Sequence, residues 1–234
     1  MNLKTAVNAK TPRGQDARDR ELTETATVFV VDDDASVRTA LARSLLTAGL
    51  KAKTFASARE FLNQGPPDCP GCLVLDVRMP GLSGLDLQAE LNARNIRTPI
   101  IFITGHGDIP MSVKAMRGGA TDFLTKPFKL GNLIRAIREA LKQDEFIRAS
   151  RAKNAEVQRC LETLTPRERE VLDLVVKGRL NKQIADELGT AESTIKVHRR
   201  RVMEKMQAPS LAELVRVLEG LAFEGGDRRA ARRE

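Results

Sequence analysis

The chain contains no tryptophan and no tyrosine, so any large gap in its core falls to one of eight phenylalanines. No apolar run approaches the roughly 18 residues of a membrane span. Nor does a charged start lead into an apolar stretch and a cleavage site, so a cytoplasmic protein with no membrane partner is expected. Cysteine is scarce, at three residues, and two of them make the pair "CPGC" at Cys69 and Cys72. A redox pair would sit between a strand and a helix start, whereas this one leads into an apolar run. A zinc site would need a second Cys or His pair, and none follows. The pair is read as one buried strand cysteine and one loop cysteine.

What the chain has in excess is positive charge. Lys and Arg number 39 against 31 Asp and Glu, a formal charge of +8, which raises the prospect of a polyanionic partner. At 234 residues there is room for two modest domains.

Residues 1–25 are polar and without period, and a disordered leader is expected there. From Thr27 five short β-like runs alternate with helix-compatible stretches: "TVFVVD", "KAKTFA", "CLVLDV", "PIIFIT" and "TDFLTK". That order predicts an α/β doubly wound, five-stranded parallel sheet over residues 26–145. Runs 28–31, 73–75 and 100–103 are continuously apolar, as strands covered on both faces must be, and are expected at the centre. Val37, Leu41 and Leu45 give the first helix its apolar stripe; Leu130, Leu133, Ile134, Ile137 and Leu141 give the fifth its own. Residues 146–163 are charged, free of Pro and Gly, and predicted to be a helical linker. "TPRE" at 165–168 carries a Thr cap, a Pro at the first helical position and a Glu three residues on, so a new domain begins there. Breaks at Gly178, Gly189 and Ala208-Pro209 divide residues 164–222 into four helices, leaving a flexible tail at 223–234.

In an open parallel sheet, ligands gather at the carboxyl ends of the strands. Here the first strand ends at Asp32, Asp33 and Asp34, the third at Asp76, the fourth at Thr104 and the fifth at Lys126. Acidic residues alone would be ordinary loop or cap residues. Carboxylates converging on one edge with a lysine and a threonine repel one another unless a cation intervenes, and hard oxygen donors select Mg²⁺.

"VFVVDDD", "LVLDVRMPG", "FITGHGD" and "DFLTKPF" together resemble the receiver domain of bacterial two-component response regulators, flavodoxin-like in fold. The resemblance implies Asp76 as phosphoacceptor, Asp32, Asp33 and Asp76 as Mg²⁺ ligands with the backbone carbonyl of Arg78, and Thr104 and Lys126 as phosphoryl contacts. Phe123 matches the switch aromatic, with a plain core role as the alternative. "KPF" implies a cis Lys126-Pro127 bond, and His106 is read as a loop residue. The dimer surface is expected around Val113 to Phe123.

"LTPREREVLDLVVKGRLNKQIADELGTAESTIKVHRRRVMEKM" resembles the LuxR-type helix-turn-helix. Ile184, Ala185 and Leu188 give a scaffold helix its apolar face, and Ile195, Val202 and Met206 give the next helix a buried stripe. The resemblance assigns base contact to Lys196, Val197 and Arg200, with Arg199, Arg201 and Lys205 adding charge nearby. Thr190, Ser193 and Thr194 at that helix's start fit either a cap or a phosphate contact. His198 fits either a hydrogen bond within the fold, the role expected of it, or a phosphate contact.

The combination resembles FixJ-type response regulators. It implies a transcription regulator phosphorylated by a sensor histidine kinase, dimerising and binding promoter DNA, with RNA polymerase a further partner, and no enzyme beyond self-phosphorylation and autodephosphorylation at Asp76. Two other readings compete. An aspartyl phosphatase would need an acid/base Asp two residues past its nucleophile, where this chain has Arg78. A receiver serving only for dimerisation or ligand sensing would have no use for the full acidic cluster.

Overall fold

The computed structural model describes residues 25–64, 69–105 and 109–230, with side chains as far as Leu221. The expected leader at 1–25 falls, all but Thr25, outside the described residues, as does His106. The chain divides into two compact units, Met1–Arg148 and Ala149–Glu234.

The first unit alternates strands and helices: β1 (Thr27–Val31), α1 (Ala35–Thr47), β2 (Lys51–Phe55), α2 (Ala58–Asn63), β3 (Gly71–Asp76), α3 (Gly84–Ala93), β4 (Ile100–Thr104), α4 (Ile109–Arg117), β5 (Asp122–Thr125) and the start of α5 (Leu130–Glu162). All pairings are parallel, in the order β2-β1-β3-β4-β5. The three continuously apolar runs are the three interior strands, because each carries two buried faces. Val28, Val30, Cys72, Val74, Ile101 and Ile103 pack with Leu41 and Leu45 of α1 and Leu133 and Ile137 of α5. Phe29, Val31, Leu73, Leu75 and Phe102 point the other way, against Phe61 of α2, Leu87 and Leu91 of α3 and Ala115 of α4. Phenylalanine fills the large gap at one edge, where Phe29, Phe55 and Phe61 meet with centroids 5.2–6.4 Å apart. The cysteines are all unpaired thiols: Cys72 is buried in β3, which pushes its thiol up, and Cys69 is half-buried in the loop before it.

The segment expected to be a helical linker is helical, residues 146–162 continuing α5 without a break. The first unit also holds α5 beyond 145. Asp144, 3% exposed, accepts from the Gly71 amide at 3.0 Å and from Arg148 Nε at 2.7 Å, while Arg148 Nη2 donates to the Cys69 carbonyl at 2.7 Å. By these bonds an Asp and an Arg four apart on a charged helix close the amino end of β3.

The second unit contains the rest of α5, then α6 (Pro166–Val176), α7 (Asn181–Glu187), α8 (Glu192–Lys205) and α9 (Leu211–Ala230). Leu164, Val171, Leu172, Val175, Ile184, Ile195, Val202, Met206 and Leu214 form its core. The capping box at Thr165 and Glu168 is present, with Pro166 at the helix start. Glu168 does more: its buried carboxylate also receives Lys205 Nζ of α8 at 2.6 Å, and the same ammonium donates to the Thr163 carbonyl at 3.0 Å. The tail expected from 223 is instead helical to Ala230.

Asp144→Ala is expected to cost about 2 kcal/mol, since it leaves the Gly71 amide without its acceptor and a part-exposed Arg148 without its partner. Urea unfolding followed by amide exchange in β3 measures it. Glu168 gives a pH dependence. The bond from Lys205, with the Thr165 amide, lowers its carboxyl from 4.5 to about 2. The stabilisation is therefore complete above 4.5 and lost as pH falls through 2. Glu168→Gln is expected to flatten the decline in second-unit stability across that window, read from urea midpoints by amide exchange in α6 and α8.

Candidate functional site: an acidic edge and a basic helix

Register builds the first site. Val31 pairs with Leu75, so Asp32 and Asp76, the next residues of β1 and β3, emerge side by side. Asp76 pairs with Ile103, which sets Thr104 one step beyond it, and Thr104 pairs with Thr125, which is followed by Lys126. After Asp76 the chain must leave sharply. Gly81 turns it with φ of 79°, and α3 begins so close that a Cβ on Gly84 would lie 2.2 Å from the Asp76 carbonyl oxygen.

The carboxylates of Asp32, Asp33 and Asp76 converge, with a ligand atom of each within 4.8 Å of the others. Lys126 Nζ bridges two of them, donating to Asp32 Oδ2 at 2.8 Å and to Asp76 Oδ2 at 2.9 Å. The second oxygen of Asp32 accepts from the Asp34 amide at 2.9 Å, and Asp76 Oδ1 accepts from the Arg78 amide at 3.2 Å. One ammonium shared among three carboxylates leaves the pocket net negative. Burial raises the Asp76 carboxyl above its usual value, against the opposing bond from Lys126. Burial alone would lower Lys126, but its bonds to Asp32 and Asp76 outweigh that and hold it above its ordinary value. A cluster of hard oxygen donors with residual negative charge fits a divalent cation of the Mg²⁺ type.

Asp34 does not join the cluster. Its side chain turns away to cap α1, accepting from the Ser36 amide at 2.7 Å. Thr104 is buried at the end of β4, and its carbonyl accepts from the Lys126 amide at 2.7 Å. The Lys126-Pro127 bond is cis. Phe123 is half-buried, its ring centroid 6.3 Å from that of Phe102. Arg38 was not foreseen: from α1 its guanidinium donates to the Asp32 carbonyl at 2.8 Å, steadying the loop that bears Asp33. Its place one turn into the helix was the only signal in the sequence.

The second site is the outer side of α8. Ile195, Val202 and Met206 are buried, leaving Val197 40% exposed and the side chains of Lys196 and Arg200 more so, at 63% and 72%. Arg199 departs from the others. It is half-buried, and its Nη1 donates to Asn181 Oδ1 at 3.0 Å, fastening α8 to the start of α7. Asn181, missed in the sequence, acts through this bond. Ala191 is the N-cap of α8 and makes no side-chain cap bond, so Thr190, Ser193 and Thr194 do not cap the helix; Ser193 and Thr194 are exposed. His198 makes no hydrogen bond within the described residues, contrary to expectation, and its Nδ1 is buried.

Comparison with known proteins agrees with both halves. Residues 28–138 match the response regulator receiver domain, and residues 162–218 match the bacterial regulatory proteins of the luxR family. Nodulation protein W of Bradyrhizobium diazoefficiens is 52% identical over 211 residues, 90% of this chain and 92% of that one. The transcriptional regulatory protein FixJ of Azorhizobium caulinodans is 46% identical over 83% of this chain and 92% of its own length. The solved structure of the response regulator StyR matches with 49% identity and a TM-score of 0.75, covering 83% of this chain and 98% of that one. Among the described residues no helix is long and apolar enough to cross a membrane. A parallel sheet with a lysine-bridged acidic edge, a basic helix-turn-helix and these relatives together place the chain in the family of FixJ-type response regulators, with a receiver domain and a LuxR-type DNA-binding domain.

Proposed function

We propose that Asp76 is the phosphoacceptor through which a sensor histidine kinase controls this regulator. The bridging of Asp32 and Asp76 by Lys126, at 2.8 and 2.9 Å, carries the reading, because it sets a cation beside a rigid nucleophile on an otherwise acidic edge. In the transfer an Asp76 oxygen forms a bond to phosphorus as the bond from phosphorus to the kinase's imidazole nitrogen breaks, and the imidazole keeps the electron pair. Asp32, Asp33, Asp76 and the Arg78 carbonyl would hold Mg²⁺, which supplies charge neutralisation at the phosphoryl oxygens. Lys126 turns from carboxylate to phosphoryl oxygen. Thr104, one step along the same edge, hydrogen-bonds the new group, and Phe123 moves into the space its side chain leaves. The only chemistry is then self-phosphorylation and autodephosphorylation of Asp76.

The output follows from surfaces outside that pocket. Ile109, Val113 and Met116 leave α4 with an apolar face 80%, 41% and 48% exposed, suited to pairing two phosphorylated receivers between Val113 and Phe123. The dimer presents two copies of α8 to promoter half-sites. Lys196, Val197 and Arg200 meet base edges, while Thr190, Ser193 and Thr194 at the helix start meet phosphate. Arg199 serves that face through Asn181. RNA polymerase is the further partner at the promoter, and the setting is cytoplasmic.

Mass by light scattering in Mg²⁺ is expected to double on addition of beryllofluoride, a phosphoryl mimic, and to stay monomeric in Asp76→Asn. A doubling that survives Asp76→Asn would favour a receiver that dimerises without phosphorylation. Val113→Glu is expected to abolish the doubling while ³²P transfer to Asp76 from a histidine kinase persists; a dimer in that variant places the interface elsewhere.

A further inference from the structure

The cations of α8 are not equivalent. Lys205 is bound to Glu168 and the Thr163 carbonyl, and Arg199 to Asn181, so both are engaged inside the fold. Lys196 lies 3.2 Å from Glu192, and Arg200 lies 3.6 Å from Glu204. The exposed Arg201 makes no ion pair or hydrogen bond among the described residues. Of the exposed cations of this helix, Lys196 and Arg200 therefore each have a carboxylate beside them and Arg201 has none.

The two glutamates have different reasons to be there. Glu192 is in the first turn of α8, where the helix dipole favours a carboxylate, and it precedes Lys196 in the favourable order. Glu204 has neither advantage. It is in the last turn, where the dipole disfavours negative charge, and it follows Arg200 in the weaker order. Its side chain is 65% exposed, so it satisfies nothing buried. It lies four residues from Arg200 and seven from Val197, on the same side of the helix as both, opposite the buried stripe of Ile195 and Val202. Helix stability does not account for a carboxylate at that place.

We propose that Glu204 is a specificity-determining residue of the DNA-binding domain, whose carboxylate offsets the Arg200 charge toward the phosphate backbone and so leaves that arginine chiefly to a base edge. The proposal rests on the reading of Val197 and Arg200 as the DNA-facing side of α8. Non-specific binding is almost wholly electrostatic, so a carboxylate beside the leading arginine removes much of that arginine's contribution and repels phosphate directly. A correct site recovers the loss, because Arg200 exchanges its exposed partner for acceptors of a guanine edge. The specific complex therefore suffers less from Glu204 than the non-specific one. The ratio between them is what the residue sets.

The test uses the full chain with Mg²⁺ and beryllofluoride, a duplex enriched from a random pool by the wild-type protein, and a random-sequence duplex of equal length. Glu204→Gln is expected to raise affinity for the random duplex by roughly fivefold. It should also steepen that duplex's dependence of log affinity on log salt by about one. Affinity for the enriched duplex should rise by less, so that discrimination falls at least threefold. Equal gains on both duplexes, or no gain on either, overturn the proposal. So does a urea midpoint below that of wild type, which would make Glu204 a structural residue. Arg200→Ala separates the two readings: if it leaves the enriched duplex bound as before, the DNA-facing assignment itself fails.

Discussion

Mutual repulsion among three carboxylates is the constraint around which the receiver is organised. Asp32, Asp33 and Asp76 would not remain together unaided, and the fold brings Lys126 from the last strand to bridge two of them. Everything that places that lysine is therefore part of the site: the parallel register, the pairing of Thr104 with Thr125, and the two-sided packing that leaves the strands no room to slip. The incomplete neutralisation matters as much as the bridge. A pocket of hard oxygen donors that stays net negative fits a divalent cation.

The DNA-binding domain meets the opposite problem, an excess of positive charge on one helix, and treats each cation separately. Lys205 is turned to structural use against Glu168, which also caps α6, so one buried carboxylate ties α6 to α8. Arg199 holds α7 to α8 through Asn181. These bonds fix the angle at which the remaining outward residues are offered. A net charge of +8 over the chain says little about how much of it DNA can use.

The two domains share the helix α5, and the first unit extends along it to Arg148 because Asp144 and Arg148 reach back to the amino end of β3. Asp76 lies at the other end of that strand. Charged residues on a helix without a clear apolar stripe read as solvated surface in a sequence, since only a partner distant in the chain distinguishes a buried ion pair from an exposed one.

What the sequence determined by itself is what depends on local pattern. Apolar runs bounded by turns placed all five strands, and their continuity identified the three interior ones. Carboxylates at strand ends marked Asp32, Asp33 and Asp76, and the cap at Thr165 marked the start of α6. Tertiary structure alone decided which of several similar groups take part. Asp34, adjacent to the cluster in sequence, caps α1 instead; Arg199, adjacent to Arg200, is fastened inward; Arg38 and Asn181 bond to Asp32 and Arg199, partners that spacing did not connect with them. The reason is physical: a side chain's type fixes which bonds it can make, but the choice among them depends on partners that only folding brings within three ångströms.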